Sequence, residues 1–358
     1  MITTRKRLDP SIFDLPVEKM RAGYYTDAYF NHTRAALLEA GKHPHVVVQV
    51  FQKKHSYLGG IDEAIAILKL CAADLDGLDV HALYDGDALE PYETVLTIEG
   101  DYTTFAHLET LYLGVLARRT LITTNTVNVL RAANGKPVIF MPARHDHHRV
   151  QTGDGYAAYV AGQVVGAEVG VTTDEQASWW GGRGIGTVPH SLIASYGGDT
   201  VAAAVRFAEW APPDMSVTVL VDFENDSVKT ALEVARALGD RLWGVRLDTS
   251  ESLVDRSLWE EMGAFKPTGV NPRLVWKVRD ALDGAGFDGV RIVVSGGFTV
   301  AKIGEFEEHG VPVDAYGVGS SLIRGSNDFT ADIVMTDGKP SAKVGRHLRS
   351  NPRLERVT

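Results

Sequence analysis

Short apolar runs and longer runs with helical spacing divide this chain into two rhythms. In the first, residues 45–51 (HVVVQVF) are β-branched and brief, which predicts a strand. Residues 61–73 carry apolar side chains at helical spacing, and residues 92–98 alternate as a second strand does. Beyond Gly100 and Asp101, the side chains Phe105, Leu108, Tyr112 and Val115 recur at steps of three and four, which predicts one long helix. With an ordered arm over residues 1–20, this makes residues 1–135 an α+β domain.

From Gly135-Lys136-Pro137 the rhythm changes. Residues 138–141, 217–223, 243–247, 290–294 and 315–318 are short apolar strands, and 200–210, 227–238, 272–282 and 300–309 have helical spacing. Strand alternating with helix implies parallel strands. No dinucleotide fingerprint stands near the front, and polar residues end many strands, which favours a barrel over an open sheet. Roughly 190 residues is short for eight strand–helix units. The expectation for 136–324 is therefore an irregular or incomplete α/β barrel. The tail alternates around Asp337-Gly338, a strong hairpin signal, and residues 325–358 are expected to rejoin the first domain.

Composition narrows the function more than the fold. A net charge of -10 argues against a general nucleic-acid binder. It does not argue against a small anion, because residues 144–149 (RHDHHR) are locally basic. A single cysteine, Cys71, excludes an internal disulfide. Residues 1–16 lack the apolar centre of a signal peptide and no apolar run reaches membrane length, so a cytoplasmic location is expected.

Candidate chemistry gathers at predicted strand ends. Gly186-Thr-Val-Pro-His190-Ser191 reads as a strand end, a turn, and a histidine starting a helix; imidazole titrates near neutrality, so His190 is a candidate nucleophile or acid–base group. Ser295-Gly296-Gly297 and Gly317-Val-Gly319-Ser320 end the last two strands. Small residues there let backbone N–H groups reach a phosphate. Arg246 and Asp248 share one face of their strand, the first suited to a carboxylate or phosphate, the second to ribose hydroxyls or sugar charge. Asp222 and Glu224 are candidates for ribose or Mg²⁺. His145 and His147 with Asp146 allow a metal site, although a basic polyphosphate-binding loop fits their neighbours better. The run Tyr24-Tyr25-Thr26-Asp27-Ala28-Tyr29-Phe30 allows two readings: a helix start capped by Thr26 or Asp27 with its rings in the core, or an exposed aromatic face for a flat ring.

Taken in order, the chain resembles the nicotinate phosphoribosyltransferase family, within the type II phosphoribosyltransferases. The resemblance is carried by Thr26-Asp-Ala-Tyr29, Thr97-Ile-Glu-Gly100 with Leu108-Glu-Thr110, Arg144, Gly186-Thr-Val-Pro-His190-Ser, Val245-Arg-Leu-Asp248, Ser295-Gly-Gly297 and Tyr316-Gly-Val-Gly-Ser320. It implies transfer of phosphoribose from 5-phosphoribosyl-1-pyrophosphate to nicotinate, with Mg²⁺ and coupling to ATP, in a homodimer or higher homo-oligomer with shared sites. It also implies roles. Tyr29 would stack on the pyridine ring and Arg144 would contact pyrophosphate or base. His190 would be phosphorylated by ATP. Arg246 and Asp248 would hold nicotinate or phosphate and ribose. Gly296, Gly297, Gly319 and Ser320 would grip the 5-phosphate. The chain departs from many relatives at Met141-Pro-Ala-Arg144-His145, where they carry Phe-Gly-x-Arg-Arg, and at Pro189, where they carry a small residue. Quinolinate phosphoribosyltransferase and a non-catalytic nucleotide-binding protein are the alternatives.

Overall fold

The computed structural model describes residues 5–357. It separates into two units, one comprising residues up to 124 with 157–164 and 325 onward, the other comprising 125–156 and 165–324.

The first unit is built on a six-stranded antiparallel sheet, ordered Lys339–Pro340, Phe329–Thr336, His45–Gln52, Thr94–Asp101, Asp79–Ala82, Glu355–Arg356. The predicted hairpin forms: Asp337 and Gly338 take φ of 48° and 72°, and Met335 and Thr336 pair with Pro340 and Lys339. Val48, Val50, Leu96 and Ile98 of the two central strands are buried against the helix Ile61–Cys71. Each such side chain contributes about 1.5–3 kcal/mol relative to exposure. The helix predicted from Phe105 is interrupted. A short helix Tyr102–Phe105 and a 3-10 turn Ala106–Leu108 precede the long helix Glu109–Ala132. Thr26 donates its hydroxyl to the His107 carbonyl at 2.5 Å, an acceptor that a continuous helix would have used itself. The aromatic run does start a helix, Ala28–Glu39, with Asp27 at its N-cap, but Asp27 makes no side-chain cap. Its rings are not core either: Tyr24, Tyr25 and Tyr29 are 72%, 43% and 60% exposed. Asp27 is diverted to Thr110, whose hydroxyl donates to Asp27 Oδ2 at 3.0 Å.

The second unit is a curled parallel sheet, half of a barrel. Its six strands run in the order Val169–Val171, Val138–Phe140, Ala315–Val318, Arg291–Val294, Leu242–Leu247, Val217–Leu220. The strands are nearly continuous apolar runs because helices cover them, and Val217–Leu220 and Ala315–Val318 are buried throughout. Asn271 caps the helix Pro272–Gly284 and Asp226 caps Ser227–Leu238, each accepting a backbone N–H near its helix start. Parallel pairing aligns the carboxyl ends: Leu220 stands opposite Arg246, Leu247 opposite Val294, Val294 opposite Tyr316, and Val318 opposite Phe140. Residues following those positions therefore share one edge of the sheet.

Candidate active site

Val188 forms one parallel bridge with Val219, and Pro189 then sits at the N-cap of the helix His190–Ser195. The strand expected before this turn reduces to that single bridge. Gly182, Gly184 and Gly186 leave the preceding segment few side chains to pack and a high entropic cost of ordering. Proline is tolerated at Pro189 because an N–H at a helix start has no intrahelical acceptor. His190 Nε2 lies 3.0 Å from Asp222 Oδ1. The Asp222 carboxylate is 7% exposed and the imidazole 44%, so the pair is rooted in the protein and opens toward solvent. The hydrogen bond that the imidazole donates to Asp222 holds it above its ordinary pKa. Burial opposes this, while the charges of Asp222 and Asp248 support it and Arg246 resists it. With Nε2 engaged by the carboxylate, Nδ1 is the nitrogen left for chemistry.

One strand further, Arg246 Nη1 donates to Thr187 Oγ1 at 3.0 Å and Nη2 lies 3.5 Å from Asp248 Oδ2. Arg246 Nε is buried and has no acceptor. An orphaned buried donor on a cation is costly and suits an anion that would arrive with a ligand. Burial pulls the guanidinium below its ordinary pKa; Asp248 and Asp222 counter it, and Arg144 adds like-charge repulsion. Asp248 Oδ1 in turn accepts from Ser295 Oγ at 2.9 Å, which links the Arg246 strand to the first glycine turn.

In that turn Gly296 and Gly297 have φ of 85° and 71°. Two consecutive positive φ values suit glycine, turn the chain sharply between strand and helix, and leave the backbone there uncovered by side chains, as close approach of an anion requires. The helix Val300–Glu308 starts three residues later, capped by Thr299. The second turn places Gly319 at the N-cap of the 3-10 turn Ser320–Ile323. Ser321 Oγ donates to the Phe298 carbonyl at 2.8 Å and so ties the two turns together. Gly319 faces the His145 ring closely: a Cβ there would lie 3.0 Å from His145 Cε1.

Arg144 sits in the 3-10 turn Pro142–His145, and the Met141 N–H donates to the Val318 carbonyl at 2.8 Å. The metal reading of the histidine loop gains no support. His147 Nδ1 accepts the Arg149 N–H at 3.2 Å, His147 and His148 stack at 4.2 Å, and among the described residues no three His, Cys, Asp or Glu side chains converge as a metal site would require. Thus Asp222, Asp248, Gly296, Gly297, Gly319, Ser320 and Arg144 follow strand ends of the one parallel sheet, Arg246 is the penultimate residue of its strand, and His190 starts a helix beside it. Tyr29 belongs to the antiparallel unit. Its exposed ring lies against Phe30, with centroids 4.4 Å apart, and its hydroxyl is 3.5 Å from Asp27 Oδ2. The sequence reading missed the contact of Thr187 with Arg246 and the place of His145 beside Gly319. Thr187 alone had a signal, three residues before His190.

Residues 27–120 match the family model of the quinolinate phosphoribosyl transferase N-terminal domain. A solved nicotinate-nucleotide pyrophosphorylase from Pyrococcus furiosus is 32% identical, superposes with a TM-score of 0.80, and is covered over 85% of its length by 96% of this chain. The nicotinate phosphoribosyltransferase pncB1 of Mycobacterium tuberculosis is 31% identical over 284 residues, 76% of this chain and 57% of that protein. The chain belongs to the nicotinate phosphoribosyltransferase family. It spans little more than half the length of the curated relatives it matches. Human nicotinic acid phosphoribosyltransferase, 17% identical with a TM-score of 0.64 over 88% of this chain and 75% of that one, shares the fold. The half-barrel with an N-terminal domain is thus the family's architecture. Among the described residues no helix is long and apolar enough to cross a membrane.

Proposed function

We propose that this protein transfers phosphoribose from 5-phosphoribosyl-1-pyrophosphate to nicotinate, giving nicotinate mononucleotide and pyrophosphate in NAD salvage. The observation that carries the reading is one sheet edge holding a paired histidine, an arginine with an orphaned donor, and two glycine turns tied to each other. The pyridine nitrogen attacks C1 of the ribose as the C1–O bond to pyrophosphate breaks. No protein nucleophile is needed at C1. Asp248, held by Ser295 Oγ, is set to accept ribose hydroxyls or to stabilise the positive charge that grows on the sugar. Arg246 and Arg144 suit the anions, the pyrophosphate that leaves or the nicotinate carboxylate. The exposed Tyr29 ring suits stacking on a heteroaromatic base.

Mg²⁺ fits the donor set as a hydrated ion. Asp248 is partly used by Ser295 and Arg246, whereas Asp222 engages only one of its oxygens in the His190 contact. One or two carboxylates with substrate phosphates form the usual Mg²⁺ environment, and the ion would neutralise the leaving pyrophosphate. ATP coupling is the finer part of the proposal. His190 Nδ1 would take the terminal phosphoryl group, with ADP leaving, while Asp222 holds the Nε2 proton and orients the ring. We also take the working form to be a homodimer or higher homo-oligomer, which the mass in solution by light scattering tests directly.

Product formation from labelled 5-phosphoribosyl-1-pyrophosphate and Mg²⁺ tests the reading, with nicotinate, quinolinate and nicotinamide supplied separately, each with and without ATP. Turnover with nicotinate raised by ATP supports both halves. Turnover with quinolinate alone, with carbon dioxide released, would move the chain to the alternative that its N-terminal family match keeps open. No turnover with any base would favour a nucleotide-binding protein without catalysis.

A further inference from the structure

A lysine stands beside the first glycine turn with no carboxylate in direct contact. Lys302 is the third residue of the nine-residue helix Val300–Glu308, half-buried, and its side chain turns back toward the helix start. Its Nζ donates to the Gly296 carbonyl at 3.3 Å and lies 4.5 Å above the Phe298 ring. Among the described residues no carboxylate oxygen comes within 4.0 Å of it. Burial pulls the ammonium below its ordinary pKa, and the charges of Glu251 and Glu305 only partly counter that. One carbonyl bond satisfies one of three N–H donors, which leaves two at the mouth of the turn.

Glu251 approaches the turn from the other side. It lies three residues beyond Asp248, and its Oε1 stands 2.0 Å from where a Cβ on Gly297 would be. That contact is possible only because residue 297 has no side chain. The carboxylate is thus set against the Cα of the second glycine of the turn, and its charge acts on Lys302.

We propose that Lys302 is a direct ligand of the phosphate bound in the Gly296–Gly297 turn, and that Glu251 is the anion this phosphate displaces. A phosphate monoester placed there meets the turn's N–H groups, the positive end of the helix and the ammonium. Phosphate carries more charge than the carboxylate and accepts from all three at once. Lys302 then exchanges a weak partner, the Gly296 carbonyl, for a strong one. The identification of this phosphate as the 5-phosphate of the ribosyl donor rests on the reaction proposed above; the binding itself does not.

The test is calorimetric titration of ribose 5-phosphate, inorganic phosphate and ribose into the full chain and its variants, without nicotinate or ATP. Lys302→Met is expected to weaken ribose 5-phosphate about tenfold or more, the scale of a charge-assisted contact. Lys302→Arg should stay within about threefold of wild type because it keeps the charge. Glu251→Gln should bind several-fold tighter, on the order of a single competing charge. Ribose should not bind measurably. In turnover, Lys302→Met should raise KM for 5-phosphoribosyl-1-pyrophosphate while kcat and KM for nicotinate hold, a split that a merely structural lysine would not produce. Equal affinity of Lys302→Met and wild type, or no tightening in Glu251→Gln, would overturn the proposal. If Lys302→Met loses its circular dichroism signal, the Glu251→Gln and Lys302→Arg titrations decide alone. Normal ribose 5-phosphate binding by a wild type that never uses nicotinate would sink the proposed reaction and leave this inference standing.

Discussion

His107 and Glu109 of the antiparallel unit and the strand edge of the parallel unit answer desolvation in opposite ways. The first two have no opposite charge beside them, and burial favours their neutral forms. His107 is 1% exposed, neither ring nitrogen makes a well-formed hydrogen bond, and burial, with Arg34 adding, pulls its pKa down to about 4. Glu109 is pushed up to about 7 by burial first and by Asp332 second. In the parallel unit, the groups on the strand edge are each given a polar partner: His190 has Asp222, Arg246 has Asp248, and Asp248 has Ser295. Asp222 raises the imidazole pKa, and Asp248 and Asp222 oppose the effect of burial on Arg246. The same desolvation acts in both places. What differs is whether an opposite charge stands nearby: Asp222, just past the strand Val217–Leu220, reaches His190, and Asp248 reaches Arg246 from two residues further along the same strand. The substrates proposed above are anionic, and opposite charges beside its cation make the parallel edge the place suited to them.

Arg246→Met should break the comparison most severely. It would leave Asp248 with only Ser295 and remove the orphaned donor intended for an anion. Steady-state turnover of nicotinate should fall about 10²–10³-fold, the usual cost of losing a charged donor aimed at developing charge. Arg246→Lys should recover little, because an ammonium cannot span Thr187 and Asp248 from one planar group. Unchanged turnover in Arg246→Met would remove the arginine from the site.

Glu109→Gln sharpens the comparison from the other side. Because the folded pKa stands above the ordinary 4.5, ionising Glu109 costs stability as pH rises from 4.5 to about 7, and the cost is complete above that. The amide avoids it. Chemical denaturation at pH 8 should find the variant more stable by up to about 3 kcal/mol, the upper bound set by the size of the shift. At pH 4 the gain should vanish. A gain that is the same at both pH values would mean that packing, not charge, is responsible.

The Asp222–His190 pair carries the reverse sign. The raised imidazole pKa adds stability that is fully present below the ordinary value of 6.5 and is lost as pH rises through the folded value. In Asp222→Asn, the His190 pKa measured by proton NMR titration should fall, and ATP stimulation of turnover should fall with it. A His190 pKa unmoved by the substitution would show that Asp222 does not set the imidazole's charge.

The sequence was most legible where local chemistry and tertiary structure ask for the same thing. Residues 200–210, 227–238 and 315–318 are helix, helix and strand with the predicted bounds, and Asp337-Gly338 makes its turn, because caps, apolar spacing and left-handed residues act locally. The strand Val169–Val171 was not foreseen; three residues carry too little periodicity to register. Tyr24, Tyr25 and Tyr29 were ambiguous for a related reason, since composition gives the ring and not the face it turns. In the site, residues inside motifs at strand ends could be placed together. Lys302 and Glu251 could not, because what joins them is the absence of a Cβ at Gly297, a contact with no sequence spacing of its own.

The smallest expected effect belongs to Thr187, and it separates placement from charge. Its hydroxyl is the one well-formed hydrogen bond that Arg246 has on the side away from Asp248, 3.0 Å against the 3.5 Å of the carboxylate contact. Thr187→Val removes that acceptor at nearly constant volume and touches no charge. Arg246 would then be held by Asp248 alone, drawn toward the carboxylate and away from the ligand it is meant to meet. A single hydrogen bond to a charged group is worth about 1.5–3 kcal/mol at most, and water can replace part of it at a half-exposed site, so a loss of about five- to tenfold in kcat/KM is expected. Thr187→Ser, which keeps the hydroxyl, should restore most of it. If Thr187→Val and Thr187→Ser lose activity equally, the methyl group and not the hydroxyl is what matters, and the arginine is positioned by packing. If neither loses activity, Asp248 suffices to hold Arg246.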